Sequence, residues 1–495
     1  MRRARGRRLA PGVIVVGVPA SLADVKRSWQ QIVPVRHASK GDTEDDLLDS
    51  RWRRALLALG VVFPGACGPG TVPPSATAAV TAVGDGFDEA TLGRLREDGP
   101  KGLDALLAVY DAELREQGPS HVDRLAHLRS ALESVARQKD AAASRLYWYT
   151  DLDRAKLAAA ESGKPILSLR LLGNLDDDLS CANSRFFRTT IYPDAAVSRL
   201  LRDSFVLYWS PERPAPVITI DFGDGRKVMR TVTGNSIHYV LDSKGRPVDA
   251  LPGLYGPASF HRELTRALGI ATTTASLEGA PRDAALAAYH QASLARLRSE
   301  WTNELVANGG SLEVASATPL PSPAIGDGLA PSAFVALPIA MGKGFVERPM
   351  LGAFLRPKPK SLRPQAVDAA LWKQIARRHE SDATLDARSR AAIAAKSPLD
   401  WSATPRPLDE GALSTLVAGF EAVMSEDSVR NEFTLHARIH EWLSREPALG
   451  LGALNERVYS TLFLTPASDP WLGLVPPLVF SGIENDGLVA NPRPR

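Results

Sequence analysis

The sequence contains little cysteine. Only two of its 495 residues are cysteines, Cys67 and Cys181, which are too few for a disulfide scaffold or a cysteine-ligated zinc finger. No apolar run reaches the roughly 18 residues of a membrane-spanning helix, which excludes a polytopic membrane protein. Aromatic residues make up 6% and charged residues 23% of the chain, values that exclude global disorder. At roughly 150 residues per domain, the length predicts two to four domains.

The charge of the chain is small in sum but unevenly distributed. The formal net charge is +3, and residues 1–66 hold 12 basic and 6 acidic residues, a local net charge of +6. The remainder therefore carries 47 basic and 50 acidic residues, or −3. A mildly acidic remainder gives no electrostatic reason to bind nucleic acid, so we predict no nucleic-acid partner.

Residues 51–67 have the order of a secretory signal. A basic cluster of Arg51, Arg53 and Arg54 precedes nine apolar residues, and the small residues that follow end at Cys67. The segment resembles a bacterial lipoprotein signal, although Pro64 stands where an aliphatic residue is usual. The resemblance implies that Cys67 becomes lipidated and that the protein lies in the bacterial cell envelope, lipid-anchored or periplasmic.

This signal lies far from Met1. We therefore expect an over-extended N-terminus, with translation starting near Leu47 or Leu48. Two alternatives remain: secretion through the earlier arginine cluster of residues 2–8, and a cytoplasmic protein with an N-terminal extension.

Composition and apolar periodicity divide the chain into six regions. They are the signal or over-extended N-terminus (1–66), a flexible tether (67–87), a helical hairpin (88–145), an α/β domain (146–269), a helix with a Pro-rich linker (270–331) and an α-rich C-terminal domain (332–495). Within the α/β domain, helices are predicted at 155–162, 195–202 and 258–268, and strands at 166–171, 205–209, 236–241 and 248–251. That order predicts an α/β sandwich.

Residues 146–269 resemble a thioredoxin-like domain. Trp148 is followed by a helix and by Gly-Lys-Pro-Ile-Leu at 163–167, as before the first central strand of that family. Cys-Ala-Asn-Ser at 181–184 stands where the family has Cys-x-x-Cys, and Leu-Asp-Ser-Lys-Gly at 241–245 resembles the hairpin between its last two strands. The resemblance implies an α/β thioredoxin-like sandwich, flanked by the α-helical N-terminal hairpin and the α-rich C-terminal region.

The same resemblance implies candidate catalytic residues. Cys181 would lie at a helix N-terminus, where the helix dipole stabilises a thiolate, and His238 would face it. Ser184 replaces the second cysteine, and Ile237 and His238 stand where the family has its cis-proline. A thiol without a partner cannot resolve a mixed disulfide, so a full dithiol cycle is excluded unless another cysteine takes part.

Two functions follow from these departures. The first is a cell-envelope binding or scaffolding lipoprotein that has lost dithiol chemistry and recognises an unidentified protein partner. The alternative is a monothiol thiol-disulfide oxidoreductase or exchange catalyst that uses Cys181. Neither hypothesis requires a cofactor, and we predict none.

A pair of histidines is the other candidate site. His436 and His440 are four residues apart, as metal ligands on a helix often are. Both fall on an apolar stripe, which favours buried, hydrogen-bonded histidines, so we predict no metal and keep a metal site as the weaker alternative. We expect Glu432, Arg438 and Glu441 to form the solvated face of the same helix.

Overall fold

The computed structural model describes residues 87–117, 121–231, 234–321, 369–396 and 408–472, all of which belong to one unit, Thr71–Arg495. The predicted signal with Cys67, nearly all of the tether and the C-terminal part of the Pro-rich linker lie outside these ranges. Those interpretations therefore stay predictions.

A mixed four-stranded sheet forms the middle of the fold. Its strands are β1 Ile166–Leu172, β2 Val206–Arg213, β5 Ser236–Leu241 and β6 Pro247–Pro252, in the order β2-β1-β5-β6. Strand β1 runs parallel to β2 and antiparallel to β5, and β5 runs antiparallel to β6. The predicted strands are confirmed, and so is the α/β class. Both β5 and β6 are buried along their whole length, which explains why apolar residues predominate in them.

A hairpin that the sequence pattern did not predict follows β2. Strands β3 Val217–Asp221 and β4 Lys227–Thr231 pair only with each other, as a separate antiparallel ribbon. Gly223 and Gly225 in the connecting turn have positive φ angles of 77° and 93°, which favour glycine. Most side chains of the ribbon are exposed or half-buried, so only the short alternation at Ile218 and Ile220 marks it in the sequence.

The described residues before Asp151 form four helices: α1 Glu89–Glu97, α2 Pro100–Glu113, α3 His121–Ala136 and α4 Ala141–Ser144. The predicted hairpin corresponds to α2 and α3, whose apolar faces enclose Leu106 and Leu132, both fully buried. Helix α1 is an additional element. It begins where the Asp88 side chain accepts a hydrogen bond from the Thr91 amide at 2.7 Å.

Helices alternate with the strands of the central sheet. They are α5 Leu152–Ser162, α6 Ala182–Phe186, α7 Ala195–Ser204 and α8 Pro257–Thr274, and α6 continues into a π-helical turn, Phe187–Ile191. Asp151 and Asp194 cap the N-termini of α5 and α7. The helices predicted at 155–162, 195–202 and 258–268 are confirmed.

Helices also make up most of the described chain after the α/β region. They are α9 Gly279–Ala307, α10 Leu312–Ala317, α11 Ala369–Arg378, a 3₁₀ turn Glu380–Ala383, α12 Ala387–Ala394, α13 Glu410–Arg430, a π-helical turn Asn431–His436, α14 Ala437–Arg445, α15 Leu451–Arg457 and a π-helical turn Val458–Leu462. Among the described helices, none combines the length and the apolar character needed to cross a bilayer.

One apolar core joins the sheet to the C-terminal helices. It takes side chains from residues 146–271 and from residues 383–472 alike. The rings of Phe186 and Phe420 meet edge to face at 5.1 Å, and the Tyr239 hydroxyl donates to Asn455 Oδ1 at 3.1 Å. The C-terminal helices therefore pack directly on the sheet and its helices.

Candidate functional site

Cys181 is the residue directly before α6, and its side chain is fully buried. Its sulfur lies 3.9 Å from the backbone oxygen of Asn235, the residue before β5. Burial raises the pKa of the Cys181 thiol, although contacts with Ser184 oppose this shift. The structure therefore favours a neutral thiol at this position.

Ser184 and His238 have partners other than the sulfur. The Ser184 hydroxyl donates to the backbone oxygen of Cys181 at 2.9 Å and lies 2.6 Å from the Ser180 hydroxyl. His238 Nε2 lies 2.7 Å from the Tyr192 hydroxyl. Burial lowers the pKa of His238 to about 3, so its ring is neutral at physiological pH. The structure thus shows Tyr192 as the hydrogen-bond partner of His238.

The C-terminal region covers the edge of the sheet near Cys181. The Asn235 side chain donates to the Thr465 hydroxyl at 3.2 Å. From β2, the Arg213 guanidinium donates to the backbone oxygens of Thr465 and Asp469, at 2.9 Å and 2.8 Å. The segment after α15 is therefore fixed against the strands that flank Cys181.

A set of buried polar residues, separate from the surroundings of Cys181, lies between the sheet edge and the C-terminal helices. Asp249 from β6, His290 from α9, and His436 and His440 from the π-helical turn and α14 are each at most 1% exposed. We call these four residues the histidine–aspartate cluster. The prediction that His436 and His440 are buried and hydrogen-bonded is confirmed.

Two carboxylates bracket His436. Its Nε2 lies 3.2 Å from Asp249 Oδ1, and its Nδ1 lies 3.1 Å from Glu432 Oε2. Burial alone would lower the pKa of His436, but Glu432 and Asp249 outweigh it and raise that pKa to about 10. His436 is therefore a buried cation, and Glu432 faces inward rather than forming the solvated face we expected.

Asp249 is held by donors on both oxygens. The Tyr289 hydroxyl donates to Oδ2 at 2.6 Å, while Oδ1 accepts from the Ala250 amide at 2.8 Å and from His436. Burial alone would raise the pKa of Asp249, but the charged His436, which also donates to Oδ1, holds that pKa well below its ordinary range. Asp249 is therefore an ionised, oriented carboxylate inside the core.

His290 and His440 face each other through the same ring atom. Their Nδ1 atoms are 2.8 Å apart, and His290 Nε2 lies 3.1 Å from the backbone oxygen of Val248. A carbonyl oxygen only accepts, so His290 carries its hydrogen on Nε2 and presents a lone pair at Nδ1. Burial lowers the pKa of His290 to about 4 and that of His440 well below its usual value, so both rings are neutral.

A cavity of about 420 Å³ adjoins the cluster through Glu432. Glu263 on its wall lies 3.3 Å from the Arg296 guanidinium and also contacts Arg266. Arg296 in turn donates to Glu432 at 3.1 Å. Burial and the neighbouring Glu432 raise the pKa of Glu263. The Tyr255 hydroxyl on the same wall is buried and has no hydrogen-bond partner among the described residues.

No family model, curated protein or solved structure matches this chain. The site must therefore be interpreted from its own chemistry. Sequence reasoning found His436 and His440 by their spacing but missed Asp249 and His290. A charged residue inside the apolar strand pattern of 248–251 was the available signal for Asp249, since an aspartate is rarely buried without partners.

Proposed function

We propose that this protein is a thioredoxin-like binding protein that has lost dithiol chemistry. The order β2-β1-β5-β6, with one parallel and two antiparallel neighbours, supports the thioredoxin-like assignment. The position of Cys181 after β1 and directly before a helix agrees with it. The sheet serves as a platform on which the C-terminal helices pack.

The burial of Cys181 is the observation that carries this proposal. Disulfide exchange needs a thiolate that an incoming disulfide can reach and, for turnover, a second sulfur that resolves the intermediate. Here burial raises the pKa of the only described thiol, Asn235 and Thr465 close the nearby surface, and Ser184 supplies no sulfur. Such a site does not support dithiol turnover.

Thiol reactivity tests this proposal. A Cys67→Ala variant, in which Cys181 is the only thiol, should react with Ellman's reagent slowly when folded and rapidly when unfolded in denaturant, because only unfolding exposes Cys181. The same protein should not catalyse the reduction of insulin by dithiothreitol. Cys181→Ser is the matched control that assigns the signal. Fast reaction of the folded protein, at the rate of a free thiol, would instead favour the monothiol alternative.

We also propose that the protein is anchored in the bacterial cell envelope through lipidated Cys67 and binds a protein partner there. The signal-like order of residues 51–67 supports this location. Mass spectrometry of protein from its native host should show a chain that starts at a diacylated Cys67, and Cys67→Ala should release it from the membrane fraction. An unmodified chain in the cytoplasmic fraction would contradict the proposal.

A further inference from the structure

We propose that Asp249, His290 and His440 form a binding site for a divalent transition-metal ion of the zinc class. One ligand atom from each residue lies within 4.8 Å of the others, and all three residues are buried. They come from three elements, β6, α9 and α14, which only the complete fold brings together. This inference does not depend on the loss of thiol chemistry.

The distances between the ligand atoms fit a single small ion. Two ligands bound at about 2.0–2.2 Å in tetrahedral geometry lie about 3.4 Å apart. The His290 and His440 Nδ1 atoms are 2.8 Å apart, and His440 Nδ1 lies 3.9 Å from Asp249 Oδ1. Small side-chain adjustments therefore bring both distances to those of a coordinated ion. Two imidazoles and a carboxylate are a ligand set that suits zinc and its neighbours.

The surroundings orient these ligands as a metal site requires. Metal-binding histidines usually donate their other ring N–H to a carbonyl or carboxylate, and His290 Nε2 does so to Val248. Asp249 is positioned by Tyr289 on one oxygen and by His436 on the other. The lone pair of His290 and an oxygen of Asp249 are thus directed by partners that do not themselves need to bind the ion.

Without an ion, one proton must be shared between the facing nitrogens of His290 and His440. His440 then donates from Nδ1, and its Nε2 is a buried lone pair with no partner among the described residues. When an ion binds, the ring proton of His440 moves from Nδ1 to Nε2, so the ring stays neutral and both Nδ1 atoms present lone pairs to the ion. The three protein ligands leave one coordination position for water or a ligand.

A second group of ligand-type residues nearby, Glu263, Glu432 and His436, is a weaker candidate. The Arg296 guanidinium already lies 3.3 Å from Glu263 and 3.1 Å from Glu432, and it supplies the positive charge that an ion would bring. Among the described residues, no cationic side chain lies between the two facing nitrogens of His290 and His440, and the one cation in contact with this set, His436, hydrogen-bonds within it only to the Asp249 carboxylate, at 3.2 Å. The structure therefore favours the cluster that contains Asp249.

Metal titration of the full chain tests the proposal. After dialysis against EDTA, the protein should bind one equivalent of Zn²⁺ in competition with a chromophoric chelator. Co²⁺ should give the visible absorption of a tetrahedral site. His290→Gln and His440→Gln should weaken Zn²⁺ binding by more than about 100-fold, and Tyr289→Phe by about 10- to 100-fold, because it removes only a positioning hydrogen bond.

His379→Gln is the matched control. His379 contacts Glu304 and Asp382 away from the cluster, so this variant should bind Zn²⁺ as the wild type does.

Two results would overturn the inference. One is a wild-type chain that binds neither Zn²⁺ nor Co²⁺ stoichiometrically. The other is unchanged affinity in a His440→Gln variant whose circular dichroism shows it to be folded. If the histidine variants do not fold, X-ray absorption of the zinc-loaded wild type decides: two imidazole ligands support the site, and fewer than two exclude it.

Discussion

Two fully buried histidines in this fold have opposite charge states. His238 lies between the rings of Phe187 and Phe260 and meets one neutral hydroxyl, and burial lowers its pKa to about 3. His436 is equally buried, but two carboxylates raise its pKa to about 10. The comparison shows that burial removes a charge only where no opposite charge is buried with it.

The same contrast separates the two candidate sites. Around Cys181 the contacts are mainly apolar or are hydrogen bonds to neutral groups such as the Asn235 carbonyl, and the charge of Arg185 has only a minor effect on the thiol pKa. Around His436 the groups are ionised and neutralise one another. Residues near Cys181 therefore stabilise the fold mainly by packing, whereas residues of the histidine–aspartate cluster are coupled electrostatically and depend on each other.

The largest effect is expected from Asp249→Asn in metal-free protein. The substitution keeps the side-chain volume but leaves the buried His436 cation without one of its two carboxylates. Removing one member of a buried ion pair costs about 3–5 kcal/mol. Urea unfolding should show a loss of this size. The control is Asp123→Asn, on the exposed face of α3, which should change the free energy of unfolding by less than about 0.5 kcal/mol. An equally small change for Asp249→Asn would contradict the conclusion that Asp249 neutralises a buried His436 cation.

The pH dependence of stability should separate the two histidines. The pKa of His436 is about 10 when folded, above the ordinary 6.5, so its contribution is complete below pH 6.5 and is lost as pH rises through 10. The pKa of His238 is about 3 when folded, so stability falls as pH drops from 6.5 through 3. Each unit of difference corresponds to about 1.4 kcal/mol.

Unfolding free energies of metal-free protein across this pH range provide the measurement. His436→Gln should flatten the loss on the alkaline side, and His238→Gln should flatten the loss on the acid side. If both variants changed the same side of the profile, the opposite charge states would be wrong.

Arg213→Ala should have an intermediate effect. The change removes charged hydrogen bonds to Thr465 and Asp469, which at this partly exposed position contribute up to about 2 kcal/mol. It should also loosen the segment that covers Cys181, so Ellman's reagent should react faster with the folded variant. The exposed Arg115→Ala is the control and should leave the rate unchanged. Faster unfolding without faster reaction of the folded state would mean that this segment does not protect the thiol.

Cys181→Ala should have the smallest effect. It removes one buried sulfur from an apolar setting and leaves no charge without a partner, so we expect a loss of about 1 kcal/mol. Chemical denaturation measures it. A loss as large as that of Asp249→Asn would show that Cys181 has polar partners essential to the fold.

Local sequence patterns predicted most of the fold. The strands of the central sheet are recognisable because β1, β5 and β6 are nearly continuous apolar runs, and α13 and α14 have apolar residues at helical spacing. The β3–β4 ribbon was not predicted in this way, since its strands bury little and only β3 has a short apolar alternation, at Ile218 and Ile220. Apolar periodicity in a sequence reveals an element only where one of its faces is buried, and this ribbon buries little of its surface.

The candidate site was only half predictable. The spacing of His436 and His440 is local and therefore visible in the sequence. Their partners are not: His290 lies 150 residues before His440, and Asp249 lies 187 residues before His436. Only the packing of α9 and α14 on β6 brings these residues together. The resemblance to thioredoxin-like domains pointed instead to Cys181. A motif shows the position of a family's reactive residue, but it does not show whether that residue is accessible in this chain.

The π-helical turn Asn431–His436 has a consequence for the history of this fold. A π turn absorbs one additional residue within a continuous helix, so α13 and α14 can keep their packing on either side of it. Glu432 and His436, which link the cavity to the cluster, both lie inside this turn. Insertion or deletion of a single codon here could therefore create or remove the contact between Glu432 and His436 without disturbing the flanking helices. Homologues that lack the cluster should differ by one residue in this stretch and retain the helices around it.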